Sequence, residues 1–300
     1  MNPYLVEPPF CFHFSGGRTS GYLLKHVLDA YSGVLPPSGI NWPSIDLSKP
    51  CPVVFTNTGK EFEETLVFIE ECSQRWGVQV HWVEWINLGD RAGFREVDFR
   101  TASRKGEPFE ALINRKMYLP NVVQRLCTQH LKIHACDMFL REYWGLPDYL
   151  GVIGVRYDEP KRWKVSGPDP RNSHREVVMP LRETRITESD VLEWWSSQPF
   201  DLQLRPRESN CDLCFLKANV KRIRIMVDHP EKAAWWIEQE RKNRERYPDR
   251  ADTTAGFRAG DRKDYQTLYQ ISLTAGVSVD LGGDGLSAEE EDLIECNCTD

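Results

Sequence analysis

Residues 10–31 read FCFHFSGGRTSGYLLKHVLDAY, and this stretch decides the fold. Residues 10–14 are a short apolar run, the pattern of a buried strand. Ser15, Gly16 and Gly17 break it, and residues 19–31 then carry apolar side chains at helical spacing. A strand that turns through two glycines into a helix suits an anion. The glycines let backbone amides approach without Cβ interference, and the helix N-terminus adds partial positive charge. Ser15, Thr19 and Ser20 add hydroxyls and Arg18 a cation. The stretch is neither a Walker A loop nor a G-x-G-x-x-G fingerprint. Two readings stay open at this point, a phosphate cradle or an ordinary strand–helix turn.

Outward from there the pattern repeats. Residues 33–50 form a Pro/Ser/Gly-rich surface loop. Residues 52–56 (PVVFT) are a second strand, ended by a turn at Gly59, and residues 62–76 a helix. Residues 78–85 are a third strand, 107–117 and 121–143 helices, and 149–155 (YLGVIGV) a fourth strand. Strands alternating with helices predict an α/β fold, a doubly wound, mostly parallel sheet covered on both faces. Ligands of such sheets sit at the carboxyl ends of the strands. There the sequence places residues 15–20, then Thr56, Asn57, Thr58 and Gly59, then Gly154, Arg156 and Arg162. Glu63 and Glu64 follow the second strand and suit the first turn of a helix. Past residue 165 the pattern changes. A helix capped by Thr187 runs through Trp195, residues 203–214 are a polar loop, and helices follow at 217–228, 231–246 and 263–275. The expected organisation is an α/β domain over residues 1–200, a Cys-x-x-Cys loop with a C-terminal helical extension over 201–278, and a flexible acidic tail over 279–300.

Composition narrows the class. The 300 residues are 40% hydrophobic and 28% charged, a globular balance. No apolar run is long enough for a transmembrane helix, and the first nine residues carry no basic residue of the kind a secretory signal needs. The expected location is the cytoplasm. Net charge is −7 but uneven. Residues 205–263 hold 15 Lys/Arg against 10 Asp/Glu, whereas residues 280–300 hold eight acidic residues and no Lys or Arg. The basic stretch (Lys217, Lys221, Arg222, Arg224, then Arg241, Lys242, Arg244, Arg246) could face a phosphate backbone or simply be a solvated surface. Nine cysteines in such a chain argue for metal or redox chemistry over a disulfide framework. Cys211-x-x-Cys214 has metal-ligand spacing, and Cys127 is its candidate third thiolate. Three thiolates suit an iron–sulfur cluster with one iron open. Cys136 lies nine residues beyond Cys127, on the opposite face of a regular helix. Cys296 and Cys298 close the chain as candidate mobile thiols.

Six segments in order resemble the phosphoadenosine phosphosulfate reductase family, within the superfamily of adenine nucleotide α-hydrolase-like (HUP-like) proteins and PP-loop ATP pyrophosphatases. SGGRTS resembles the SGG-x-D-S pyrophosphate loop, FTNTGKEFEET the DTG-x-x-F-x-E-T element, and RLCTQHLKI the CC-x-x-x-K element. GVIGVRYDEPKRW resembles the strand and loop carrying two arginines. MPLRETRITESDVLEWW with QPFDL resembles the segment after them, and NCDLC falls where the cluster-binding members carry Cys-x-x-Cys. Thr19 and Asn57 stand where the family carries aspartates, and Cys127-Thr128 where it carries paired cysteines. Of the reductases' terminal E-C-G-x-H, Glu295-Cys296-Asn297-Cys298 keeps Glu-Cys.

The resemblance implies an adenine-nucleotide-dependent sulfur-transfer enzyme. ATP or an adenylyl sulfate is the implied nucleotide, with magnesium a further cofactor whose footing the Thr19 replacement weakens. Ser15, Gly16, Gly17, Arg18, Thr19 and Ser20 would hold the phosphates, with Thr56, Asn57, Thr58, Gly59 and Gly154 around the nucleoside. Arg156 and Arg162 would offset charge on the leaving group. A [4Fe–4S] cluster on Cys127, Cys211 and Cys214 would deliver sulfur from a donor to an activated acceptor such as a nucleic acid. Two alternatives remain. One is reductive cleavage of adenylyl sulfate or phosphoadenylyl sulfate to sulfite with Cys296 as nucleophile. The other is a noncatalytic module in which Cys211, Cys214, Cys296 and Cys298 hold zinc.

Overall fold

Phe10–His13 forms β1, a fully apolar-flanked strand at the centre of the molecule. The computed structural model describes residues 2–32, 50–121, 124–165, 167–169, 172–205, 208, 211–250, 256–257 and 263–278. In chain order β1 is followed by α1 (Arg18–Ser32), β2 (Val53–Asn57), α2 (Glu63–Trp76), β3 (Val80–Asn87), β4 (Ala92–Val97) and α3 (Glu107–Lys116). A π-helical segment, Cys127–His134, runs directly into α4 (Ala135–Tyr143). Then come β5 (Tyr149–Val152), a 3₁₀ turn (Pro160–Val165), β6 (Gly167–Asp169), β7 (Asn172–Val178), α5 (Pro180–Glu183) and α6 (Glu188–Ser196). The C-terminal helices are α7 (Asn219–Asp228), α8 (Ala233–Arg246) and α9 (Tyr265–Ser278).

The strands make one seven-stranded sheet in the order β4-β3-β2-β1-β5-β7-β6. The five inner strands are parallel, and β4 and β6 pair antiparallel at the two edges. This is the α/β, mostly parallel arrangement expected. Its direction of growth reverses at β1, where the chain turns from building toward β3 to building toward β7. Burial follows from cover on both faces. Val80, His81, Trp82, Val83, Glu84 and Trp85 are buried one after another along β3, without the alternation that a half-exposed strand shows.

The carboxylate in that run is a hub. The Glu84 carboxylate is fully buried and accepts from Asn57 Nδ2 at 2.6 Å, the Ser103 amide at 2.6 Å, Ser103 Oγ at 2.9 Å and Arg95 Nη2 at 2.6 Å. It ties β2, β3, β4 and the following loop together. A buried charge is tolerated when its lone pairs are filled in this way.

Several expected elements shift. β4, β6 and β7 are strands within stretches the sequence pattern left unassigned. Residues 121, 124 and 125 do not join the helix expected over 121–143, and Cys127–His134 within it is π-helical. Thr187 caps α6 as expected, with Asp190 completing a capping box. The expected loop at 33–50 falls almost wholly, and the acidic tail with Cys296 and Cys298 wholly, outside the described residues. No described helix is long and apolar enough to cross a membrane.

Candidate functional site at the strand carboxyl ends

The loop after β1 is held by its own hydroxyls. Ser15 Oγ donates to Ser20 Oγ at 2.8 Å, and Ser20 Oγ donates to the Gly17 carbonyl at 2.9 Å. Gly16 adopts φ +81°, and a Cβ there would sit 2.7 Å from Ile69 Cδ1 and from Thr65 Cγ2 of α2. Only glycine meets both the left-handed backbone and the close approach. The first turn of α1 carries no acidic side chain, so none of its own carboxylates neutralises the helix N-terminus.

Arg18 is engaged away from the loop. Its Nε and Nη2 grip Asp201 at 2.8 and 2.9 Å, and Nη2 also bonds the Leu202 carbonyl. Trp195 Nε1 donates to the Arg18 carbonyl at 2.8 Å. This residue therefore clamps the segment after α6 to the start of α1. A different cation reaches the loop, since Arg156, beyond β5, donates from Nη1 to Thr19 Oγ1 at 3.0 Å. That bond crosses between the loops of β1 and β5, the place where the sheet's strand order reverses and where open α/β sheets bind ligands.

Arg156 is set by the carboxylates around it. Its amide bonds Glu159 Oε2 at 2.8 Å and its Nε bonds Asp158 Oδ1 at 3.0 Å. Glu159 also accepts from Arg162 Nη1 at 2.6 Å, with Arg162 only 3% exposed. Arg162 thus supports the turn from beneath, while Gly154 lies between the buried Ile153 and Val155.

At the end of β2 the polar groups are internally spent. Asn57 is fully buried, bonded to Glu84 and to the Ser103 carbonyl, and its Oδ1 accepts from the Gly59 amide at 3.1 Å. Thr58 Oγ1 donates to Glu61 Oε1 at 2.8 Å, and the amides of Thr58 and Lys60 donate to Glu61 Oε2. Gly59, at φ +77°, accepts at its carbonyl from the Gly106 amide, whose backbone would stand 3.0 Å from a Cβ. Thr56 is half-buried. Burial pushes the Glu61 carboxyl up from its ordinary value, against the pull of Lys132.

Lys60 and Glu61 join this rim to the C-terminal part of the chain. Lys60 Nζ pairs with Asp212 at 2.9 Å, both side chains being buried, and lies 5.0 Å from the Trp235 ring centre. Asp212 also accepts from Trp236 Nε1 at 2.8 Å. Glu61 and Cys211, which stands three residues before Cys214, form an isolated antiparallel bridge. Cys127 opens the π-helical segment. There residues four or five apart share a face, because its bonds span five residues, and Lys132 on that segment is the cation acting on Glu61. The donor set of three thiols has the chemistry of a thiolate-held centre, while among the described residues the ligand atoms gathered within 4.8 Å belong to a different group, Cys11, His13 and Cys136. Cys136 points elsewhere, with its Sγ 3.8 Å from Cys11 Sγ.

The basic stretch is largely consumed by the fold. Arg222 is buried, 5.1 Å from the Tyr265 ring centre. Lys217 bonds the carbonyls of Cys211 and Asp212, Arg241 pairs with Glu238 and Glu245, and Lys242 pairs with Glu110. Sequence reasoning did not single out Lys60, Lys132, Asp212 or Trp235. Their partners are remote in the chain, and only the position of Lys60 next to Gly59 hinted at a role.

The chain is similar to a phage protein. It is 30% identical over 214 residues to the uncharacterized nin region protein ORF290 of Escherichia phage lambda, a match covering 69% of this chain and 66% of that protein's length. No family model matches. Among solved structures it resembles the phosphoadenylyl-sulfate reductase of Candida auris in its phosphate complex, with TM-score 0.40 and 13% identity over 65% of this chain and 79% of that one. It also resembles the FMN adenylyltransferase of Candida glabrata with FAD and inorganic pyrophosphate, with TM-score 0.32 and 16% identity over 72% of this chain and 56% of that one.

Proposed function

We propose that the protein is an adenine-nucleotide-dependent sulfur-transfer enzyme, with the nucleotide lying across the carboxyl ends of β1, β2 and β5. The observation that carries this reading is the Arg156–Thr19 hydrogen bond. It brings a guanidinium to a glycine loop at a helix N-terminus, at the point of strand-order reversal. Backbone amides of residues 16–20 would bind the phosphate oxygens, and Arg156 would exchange its hydroxyl partner for a phosphate. In acceptor activation an acceptor oxygen attacks the α-phosphorus of ATP, the bond to the β-phosphate oxygen breaks, and pyrophosphate leaves. Arg156, already aimed there, would offset the charge developing on that leaving group. Arg162 would keep the loop in place through Glu159.

Cys127, Cys211 and Cys214 are the residues that would hold a [4Fe–4S] cluster, which supplies an open iron for a sulfur ligand when bound. Lys60–Asp212 and Glu61–Cys211 fix that side of the molecule against the nucleotide rim. The sulfur acceptor, a nucleic acid among the candidates, is set by surfaces beyond these residues.

The test is a nucleotide panel on anaerobically reconstituted protein, with ATP, adenylyl sulfate and phosphoadenylyl sulfate scored for binding, pyrophosphate, AMP and sulfite. ATP binding that is lost in Arg156→Ala is expected, with pyrophosphate released when an acceptor is supplied and AMP released when sulfur then displaces it from the adenylated acceptor. Sulfite release from a sulfated nucleotide would replace this reading with the reductase one. Failure to bind any of the three nucleotides would end both.

A further inference from the structure

A second group of metal-ligand side chains lies in the heart of the sheet, apart from the cysteines above. Cys11 and His13 are two residues apart on β1, so both project from the same face of the sheet. α4 covers that face, and its second residue, Cys136, meets them. The three ligand atoms lie within 4.8 Å of one another. Cys11 and Cys136 are fully buried, with their sulfurs 3.8 Å apart.

We propose that Cys11, His13 and Cys136 bind a zinc-class metal ion that pins α4 to β1. Three observations support it. First, the sulfur separation fits. Zinc–thiolate bonds of about 2.3 Å opened to the tetrahedral angle place two sulfurs about 3.8 Å apart, whereas a disulfide needs about 2.0 Å. Second, His13 Nε2 is buried and makes no hydrogen bond. An imidazole nitrogen in that condition is costly unless a ligand occupies it. Third, the charge balances. Two thiolates and a neutral imidazole cancel a divalent cation, the condition for burying one.

Binding is not a redox step. Two S–H bonds give up their protons to solvent, two metal–sulfur bonds and one metal–nitrogen bond form, and no electron moves. Three protein ligands leave one coordination position for a solvent molecule, as in three-ligand zinc sites. The site stands two residues before Ser15, so the metal would brace the strand from which the glycine loop departs. It shares no residue with Cys127, Cys211 and Cys214, and it stands whether or not those hold a cluster.

The experiment uses the full chain carrying Cys211→Ser and Cys214→Ser, so that the Cys-x-x-Cys pair contributes nothing, titrated with zinc and, separately, with Co²⁺. Expected are one tightly held zinc per chain, release of two protons, X-ray absorption showing two sulfurs and at least one nitrogen around the metal, and the visible bands of a tetrahedral thiolate-bound Co²⁺. Adding Cys136→Ser weakens zinc binding by more than about a hundredfold, since loss of a mere outer-shell partner costs 10–100-fold. Should that variant fail to fold, His13→Gln, at the half-buried position, keeps the native circular dichroism and loses the nitrogen from the absorption spectrum. No bound zinc in the parent chain, binding untouched by Cys136→Ser and His13→Gln, or a Cys11–Cys136 disulfide in the reduced-purified protein would each overturn the proposal.

Discussion

Gly16 carries the sharpest constraint at the scale of single residues. Gly16→Ala places a methyl 2.7 Å from Ile69 and Thr65 on a left-handed backbone. It should cost roughly 1–3 kcal/mol of stability by overpacking and displace the loop. Denaturant midpoints read the first effect, and loss of ATP binding reads the second. His130 sets a pH response. Burial, then Lys116 and His134, depress its pKa from 6.5 to about 4, so the folded state keeps it neutral while the unfolded chain protonates. The associated stability is therefore complete above pH 6.5 and is lost as the pH falls toward about 4. Urea midpoints across that window should fall less steeply in His130→Gln than in the parent chain. A slope unchanged by the substitution would contradict the assignment. The role of Arg18 was not readable from sequence, because its partner Asp201 lies 183 residues away. Composition offered a cation in the loop, and only the fold shows where its donors go.

Among the elements, the latch between the β2 turn and the C-terminal helices rests on a buried ion pair. Lys60→Met should destabilise by about 3–5 kcal/mol, because among the described residues it leaves the buried Asp212 carboxylate only Trp236 and the Leu213 amide as partners. Lys60→Met with Asp212→Leu should regain most of that loss, and thermal unfolding of the three variants tests the cycle. The central strands and most helices were legible because each carries its period in its own residues. β4 (AGFREV) and β7 (NSHREVV) were not, since they lie at or beside the sheet's edges, β7 is largely polar and β4 interrupts its apolar residues with Gly, Arg and Glu, so that the neighbour, not an apolar run, decides their pairing. The π-helical turns at Cys127–His134 were also invisible. Their apolar spacing passes for that of an α-helix, and only the tertiary fit selects the wider turn.

For the molecule as a whole, the sheet order places the loops of β1 and β5 beside each other and brings Arg156 to Thr19. Order and spacing in the sequence were enough to predict that meeting, because parallel strands deliver every carboxyl end to one edge. They were not enough to show that Asn57 and Thr58 are spent on Glu84 and Glu61, nor that Cys11-x-His13 and Cys136 face each other across β1 and α4. Side-chain direction along a strand is legible, but the helix that covers it is not. The central claim is that phosphates bind where those loops meet, and its most direct test is a crystal structure of the chain with a nonhydrolysable ATP analogue. Phosphate oxygens on the amides of residues 16–20, within hydrogen-bonding reach of Arg156, are predicted. A nucleotide bound elsewhere, or phosphates turned away from that guanidinium, would contradict the account.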